Sequence, residues 1–335
     1  MASELKSPAE SFTESLNNLD PSRLYSIRTA ATLTPAEVSA VRTVVLLAGQ
    51  LIVKNESIQD ALAVVMKASG PQRPTSPNKH DREQVFMLLA FPFKVNCSDM
   101  LTGHASYPPH HDITIHRSHI FNLAHHLAQD PDSQTSFNHL FYVTVILLHE
   151  FAYLIRTKNF NTNLERASPP SLAPKVSKYG QLKIWKDPSM FKVNQNQSDL
   201  DHDENSDDGS DDDSDDNSDS NESEDDSNST AQEVQILREG EAGFWFEEEV
   251  FGGEVGYTAK MPKDDVYKIK RILIETAEID KSGHASRLRV VDPTQIASVI
   301  RTGILPTPLA GKRFSGKVAV GTQICLRAQG KCMKY

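Results

Sequence analysis

The stretch Val143-Thr144-Val145-Ile146-Leu147-Leu148-His149-Glu150-Phe151-Ala152-Tyr153-Leu154-Ile155-Arg156 constrains the fold more than any other part of the chain. It is apolar in nearly every direction around a helix axis. It therefore predicts a helix over Phe137 to Thr157, buried on most sides, with other elements packed around it. One His-Glu pair sits in its middle. An unpaired polar group buried there costs ~2–7 kcal/mol and a charge more, so both side chains require partners. Residues four apart share a helix face. His149 and Tyr153 therefore point one way, and Glu150 lies about 100° further round.

The elements around this helix are readable from caps and breakers. Thr34-Pro35-Ala36-Glu37 is a cap, a proline at the first helical position and an acidic first turn. It opens a helix carrying Val38, Val41, Val44, Val45, Leu47 and Leu51. Ser57 to Ala68 reads as a second helix, and the prolines of Gly70 to Asn78 make a loop. Arg82 to Ala90 reads equally as a helix or a buried strand. Asp112 to His116 alternates polar and apolar residues, as a half-buried strand does. Ser118 to Leu127 follows as a helix and Asp130 to Ser136 as a polar turn, and Ser168 to Pro174 breaks the long helix. Val234 to Phe251 reads as a helix closed by Gly252-Gly253. Val255 to Lys260 reads as a short strand and Asp264 to Ala277 as a helix. Pro293 to Arg301 is a last short helix, with Asp292 as cap and Gly303 as stop.

One tract distorts the bulk charge. The chain carries 45 acidic and 35 basic residues, but Asp199 to Asp226 alone holds sixteen Asp or Glu and no Lys or Arg. Without it, 29 acidic residues face 35 basic ones, so the rest of the chain is mildly basic. Residues Gln195 to Thr230 cannot bury enough apolar surface to offset ordering entropy, and their charges repel. They predict a disordered insertion within one domain spanning residues 23–335, preceded by a flexible segment, residues 1–22. Ser210 with Asp213, and Ser223 with Asp226, fit acid-directed kinases, and the tract suits basic protein partners such as histones. No basic stripe is interleaved with aromatics, so nothing points to direct nucleic-acid binding. Met1 to Phe12 lacks the basic-then-apolar order of a secretory signal, and the apolar runs Val44 to Val53 and Phe141 to Leu148 are short for a bilayer. Three cysteines, Cys97, Cys325 and Cys332, show no metal-ligand spacing and fit a reduced compartment, cytoplasm or nucleus.

The His149-Glu150 helix resembles the His-Glu-x-x-His helix of zincin metallopeptidases. The likeness extends through an apolar lead-in ending Leu-Leu, then His-Glu, an aromatic, Ala, and Leu-Ile-Arg. Further on, Glu239-Gly240-Glu241-Ala242-Gly243 opens a second helix that Trp245-Phe246-Glu247-Glu248-Glu249 continues. The whole is similar to uncharacterised fungal proteins that pair a Leu-His-Glu-x-x-His helix with a later Gly-Glu-Ala-Gly helix ending in Phe-Gly-Gly. The resemblance implies an α+β, mostly helical fold, in which an edge strand and short helix (Asp112 to Ile115, Ser118 to Leu127) precede the active-site helix beside a small sheet. It implies zinc, with His149 as ligand, Glu150 as general base, and Glu241 as third ligand with Glu239 as fallback. Tyr257 is a candidate oxyanion donor.

The departure is Tyr153, which stands where the family has its second histidine. Three readings follow. Tyr153 binds the metal as phenolate; another histidine (His110, His111, His116 or His119) fills the place; or the site is degenerate and the chain is a pseudoenzyme. The bland reading of each residue is structural. His149 bonds a carbonyl, Glu150 pairs with Arg117 or Arg156, and at least two of Glu241, Glu247, Glu248 and Glu249 form a solvated acidic face. His104, His110, His111, His116, His119, His125 and His126 then belong to a polar surface. The function read from the sequence is a zincin-like peptidase acting on peptide or protein substrates, or its inactive descendant. The alternative is a non-catalytic binding protein that uses the old cleft or the acidic tract.

Overall fold

A computed structural model of the chain describes residues 6–17, 24–26, 33–68, 76–90, 94–99, 105–106, 112–159, 242–260, 266–276, 287–306, 309, 311–314, 322–325 and 332–334. They belong to one unit assembled from Met1–Gly180 and Arg238–Tyr335. The fold is α+β and mostly helical, with two small sheets. Its helices are α1 (Pro8–Asn17), α2 (Pro35–Lys54), α3 (Glu56–Lys67), α4 (Lys79–Ala90), α5 (Arg117–Gln129), α6 (Gln134–Asn159), α7 (Ala242–Phe251) and α8 (Pro293–Thr302).

The central element is α6, as its composition predicts. Phe141, Val143, Ile146, Leu147, Leu148, Phe151, Leu154 and Ile155 are all fully buried. Each such side chain contributes ~1.5–3 kcal/mol of transfer free energy. Around it pack α2, α3, α5, α7 and α8. Both α2 and α6 are long and apolar enough to cross a membrane by length and composition. In the fold the apolar window of α6 is almost wholly covered by protein.

The caps do what the sequence predicts. Thr34 and Glu37 close a reciprocal capping box at the start of α2. The buried Glu37 carboxylate also receives both arms of Arg117, at 2.8 and 3.1 Å, which ties α2 to the start of α5. Asp292 caps α8 through the Thr294 amide, and Gly303 ends it with φ +67°. The ambiguous segment before Ala90 is helical. The polar start, expected to be loose, contains α1, whose Phe12 is fully buried and packs against Phe86 of α4. The turn expected over Asp130 to Ser136 ends earlier, because α6 already begins at Gln134. The acidic tract and the breaker Ser168 to Pro174 lie outside the described residues.

The first sheet has the order β1 (Leu24–Ser26), β2 (Lys94–Ser98), β4 (Asp112–His116), β3 (Ala105–Ser106). Its first three strands are parallel and β3 is antiparallel. The strand expected at the edge, Asp112 to Ile115, is thus internal, and the edge next to it is β3. The second sheet is antiparallel throughout, in the order β10 (Cys332–Lys334), β9 (Thr322–Cys325), β5 (Glu254–Lys260), β6 (Lys268–Thr276), β7 (Arg287–Val291), β8 (Gly311–Arg313).

In that second sheet β6 overturns the helix expected over Asp264 to Ala277. The cause is a bulge. Thr258 pairs with Arg271 and Ala259 with Ile269, so Lys270 is an extra residue and the strand alternation resets there. Ile269, Ile272 and Leu273 then show three- and four-residue spacing that imitates a helix period. Ahead of the stretch that pairs with β7, side chains of α5 and α6 take up the backbone of β6 and its lead-in. Asn122 accepts the Tyr267 amide at 2.8 Å, and the Tyr267 carbonyl accepts from His126 at 3.0 Å. His139 accepts the Ile269 amide at 3.1 Å, and Asn138 donates to the carbonyls of Ile269 and Lys270. His119 and the Tyr267 hydroxyl are 2.5 Å apart. His119 and His126, expected on a polar surface, are therefore buried structural groups. Two histidines, His126 and His139, satisfy backbone groups that would otherwise be orphaned, and His119 meets the Tyr267 hydroxyl.

Candidate functional site

The site is built where α7 crosses α6. His149 is buried on α6, and its Nδ1 lies 2.6 Å from Oε1 of Glu247 on α7. Glu247 is fully buried, and its second oxygen accepts the Val255 amide of β5 at 2.9 Å. Both carboxylate oxygens are therefore fixed. The imidazole cannot rotate without breaking a charge-assisted bond in a dry environment, where such bonds are strong.

Two further residues of α7 shape the imidazole's surroundings. A Cβ placed at Gly243 would overlap the His149 ring at Nε2, Cδ2 and Cε1, so only glycine lets the two helices approach this closely. Phe244 meets the same ring edge-on, with centroids 4.8 Å apart. Gly243 and Glu247 are four apart and share a helix face. The sequence places Gly243 there for space and Glu247 for charge. Gly252, at φ +85°, ends α7 in the left-handed region, and β5 follows it after Gly253. The Phe-Gly-Gly close of α7 thus brings the Val255 amide back to Glu247.

The sequence-predicted residues distribute as follows. Glu150 is buried on α6, next to His149 in the chain. Tyr153 is half-buried, its ring 5.6 Å from that of His149, on the face expected. Glu241 and Glu239 lie outside the described residues, immediately before α7. The carboxylate that the described structure brings to His149 is Glu247, to which the sequence assigned no site role. A signal for it existed. Glu247 lies three and four residues before Val250 and Phe251, so it shares their buried face and cannot belong to a solvated one. Glu248 and Glu249 are only half-buried.

The described structure places several of the alternative partners and ligands. Arg117 holds Glu37. Arg156 donates to the carbonyls of Val65 and Ala68 at the end of α3, and burial brings its guanidinium down to about 10. His116 accepts the Ser118 amide as the cap of α5, and His119 faces Tyr267. His110 and His111 lie outside the described residues. Tyr257, a candidate oxyanion donor, is buried against Tyr142 and Tyr267, and burial pushes its phenol up to about 12. Among the described residues, no three His, Cys, Asp or Glu side chains are grouped to hold a metal ion. No protein-family model, curated protein or solved structure matches the chain.

Proposed function

We propose that the α6–α7 junction is a zincin-type metal site and that the chain is a metal-dependent peptidase or the descendant of one. The observation that carries this reading is the His149–Glu247 bond with its anchored second oxygen. Metal-ligating histidines characteristically give their other ring N–H to a carboxylate, which fixes the tautomer and raises ligand basicity. With Nδ1 committed to Glu247, the metal-facing atom of His149 is Nε2. The described residues thus fit the group as its first ligand and that ligand's orienting carboxylate. Tyr153 and Glu241, one residue ahead of α7, are the further ligands that the sequence nominates.

A zinc ion held there would supply Lewis acidity to polarise a peptide carbonyl. The chain's own residues supply orientation and proton transfer. Glu247 holds the imidazole, and the apolar walls of α6 keep bulk water from the pair. Glu150, buried beside His149 on α6, would be the general base that takes the proton of the attacking water.

The test is metal content of the full-length protein after zinc loading and exhaustive dialysis. Stoichiometric zinc is expected in the wild type and in Glu150→Gln, and is lost in His149→Ala and Glu241→Ala. Peptide hydrolysis, assayed on a mixed peptide pool, is expected to disappear in Glu150→Gln with the zinc retained. A wild type that holds no zinc overturns the metal site and leaves a non-catalytic binding role for the cleft.

A further inference from the structure

The two C-terminal cysteines are not independent. Strands β9 and β10 pair antiparallel with Cys325 directly opposite Cys332, Ile324 opposite Met333 and Gln323 opposite Lys334. Directly opposed residues of an antiparallel ladder have Cα atoms about 4.5 or about 5.5 Å apart, depending on their hydrogen-bonding class. Both values fall inside the ~4.4–6.8 Å that a disulfide spans without backbone movement. Six residues separate the pair in sequence, so the ladder, and not chain proximity, brings them together.

The surrounding sequence supplies the chemistry. Residues 311–335 contain six Lys or Arg and no Asp or Glu. Arg327, Lys331 and Lys334 lie within two residues of one cysteine or the other. Neighbouring cations stabilise a thiolate, which is the reactive form, and favour the approach of an anionic oxidant. Cys97 is the internal contrast. It is buried in β2, and burial pushes its thiol up to about 12. Among the described residues β10 is the edge strand of the second sheet, so a covalent link to β9 would fasten that end of it.

We propose that Cys325 and Cys332 form a reversible cross-strand dithiol–disulfide pair, oxidised by a small disulfide such as oxidised glutathione. The thiolate of either cysteine attacks the glutathione disulfide, forming a mixed disulfide and releasing one glutathione thiolate. The second cysteine's thiolate attacks the protein sulfur of that mixed disulfide, closing the Cys325–Cys332 bond and releasing the second glutathione. The protein loses two electrons and two protons, and one glutathione disulfide becomes two thiols. The proposal stands apart from the metal-site reading and shares no residue with it.

The experiment equilibrates the full-length protein in glutathione buffers of graded poise, quenches with an alkylating agent and maps the peptides by mass spectrometry. In the oxidised buffers Cys325 and Cys332 are expected to lose alkylation together and to appear as one cross-linked peptide pair, while Cys97 stays a thiol. Reduced glutathione is expected to restore both. Cys332→Ser and Cys325→Ser are each expected to retain a glutathione adduct on the remaining thiol, because the resolving partner is gone. A wild type whose two thiols stay alkylated at every poise overturns the proposal, as does one that accumulates singly glutathionylated protein without the cross-link.

Discussion

Mild acid should destabilise this fold through one imidazole. His139 is fully exposure-protected on α6, and burial, followed by the neighbouring His126, takes it from 6.5 down to about 3. Its Nε2 accepts the Ile269 amide, so the neutral tautomer carries its proton on Nδ1. Protonation would put a second proton on Nε2 and set it against that amide. The folded state therefore holds the neutral ring while the unfolded chain takes up a proton, and stability falls as pH drops below 6.5. At pH 5 the unfolded ring is almost fully protonated, and the linkage relation gives a loss of about 2 kcal/mol relative to pH 7, with a slope near 1.4 kcal/mol per pH unit. His126, also lowered chiefly by burial, adds in the same direction. Carboxylates with lowered values, such as Asp81 and Asp292, contribute only at more acid pH, below 3.8. Urea unfolding followed by circular dichroism at pH 7, 6 and 5 separates the terms. His139→Leu should be less stable at pH 7, having lost the Ile269 bond, but its stability should fall by about 2 kcal/mol less than the wild type's between pH 7 and pH 5. Parallel decline of the two proteins over that range would refute the assignment of the proton to His139.

Other consequences are as direct. Gly243→Ala should displace the His149 ring, seen as loss of the low-field Nδ1 proton signal by NMR without metal, and should lower zinc affinity by at least about tenfold. Glu247→Gln should keep the fold but weaken zinc binding by about 10–100-fold in equilibrium competition with a chelator. Arg117→Ala strands the buried Glu37 carboxylate and should cost on the order of 2 kcal/mol in denaturant unfolding. Tyr153→His should raise zinc affinity in the same chelator titration, because it restores an imidazole on the face that His149 already occupies. No change there would count against position 153 as part of the proposed metal site.

Much of the fold was legible because local chemistry and tertiary structure agree. Thr34-Pro35-x-Glu37 and Asp292-Pro293 to Gly303 are complete helix signals, and α2 and α8 begin and end at them. The α6 helix was legible because a pattern apolar on every side admits only a central position. The second sheet was not. Of its strands only β5 was expected, because Lys270 resets the alternation of β6 and β7 to β10 are only three to five residues long. The site was half legible. Periodicity placed His149, Glu150 and Tyr153 on adjoining faces of α6. It could not say which glutamate of a Glu-rich helix turns inward, since that depends on how α7 is rotated. That rotation is set by Gly243, where close packing is possible, and by the Val255 amide, which needs an acceptor.

Two sets of buried polar contacts fasten α6 to the second sheet. At one end, Asn138 and His139 grip the start of β6 at Ile269. Ten residues on, His149 reaches Glu247, which grips the start of β5 at Val255. Ten helical residues rise about 15 Å. Because β5 and β6 are antiparallel, with Val255 opposite Ile274 and Ala259 opposite Ile269, the two grips lie at opposite ends of the same strand pair. The five steps of strand from Ile269 to Ile274 span about 16 Å. The lengths match, so α6 lies along β6 and is bolted to the pair at both ends. The His149 imidazole is thereby referenced to a sheet through Glu247 and one backbone amide, and a site fixed to a sheet is held more rigidly than one carried by the connections between α6 and α7.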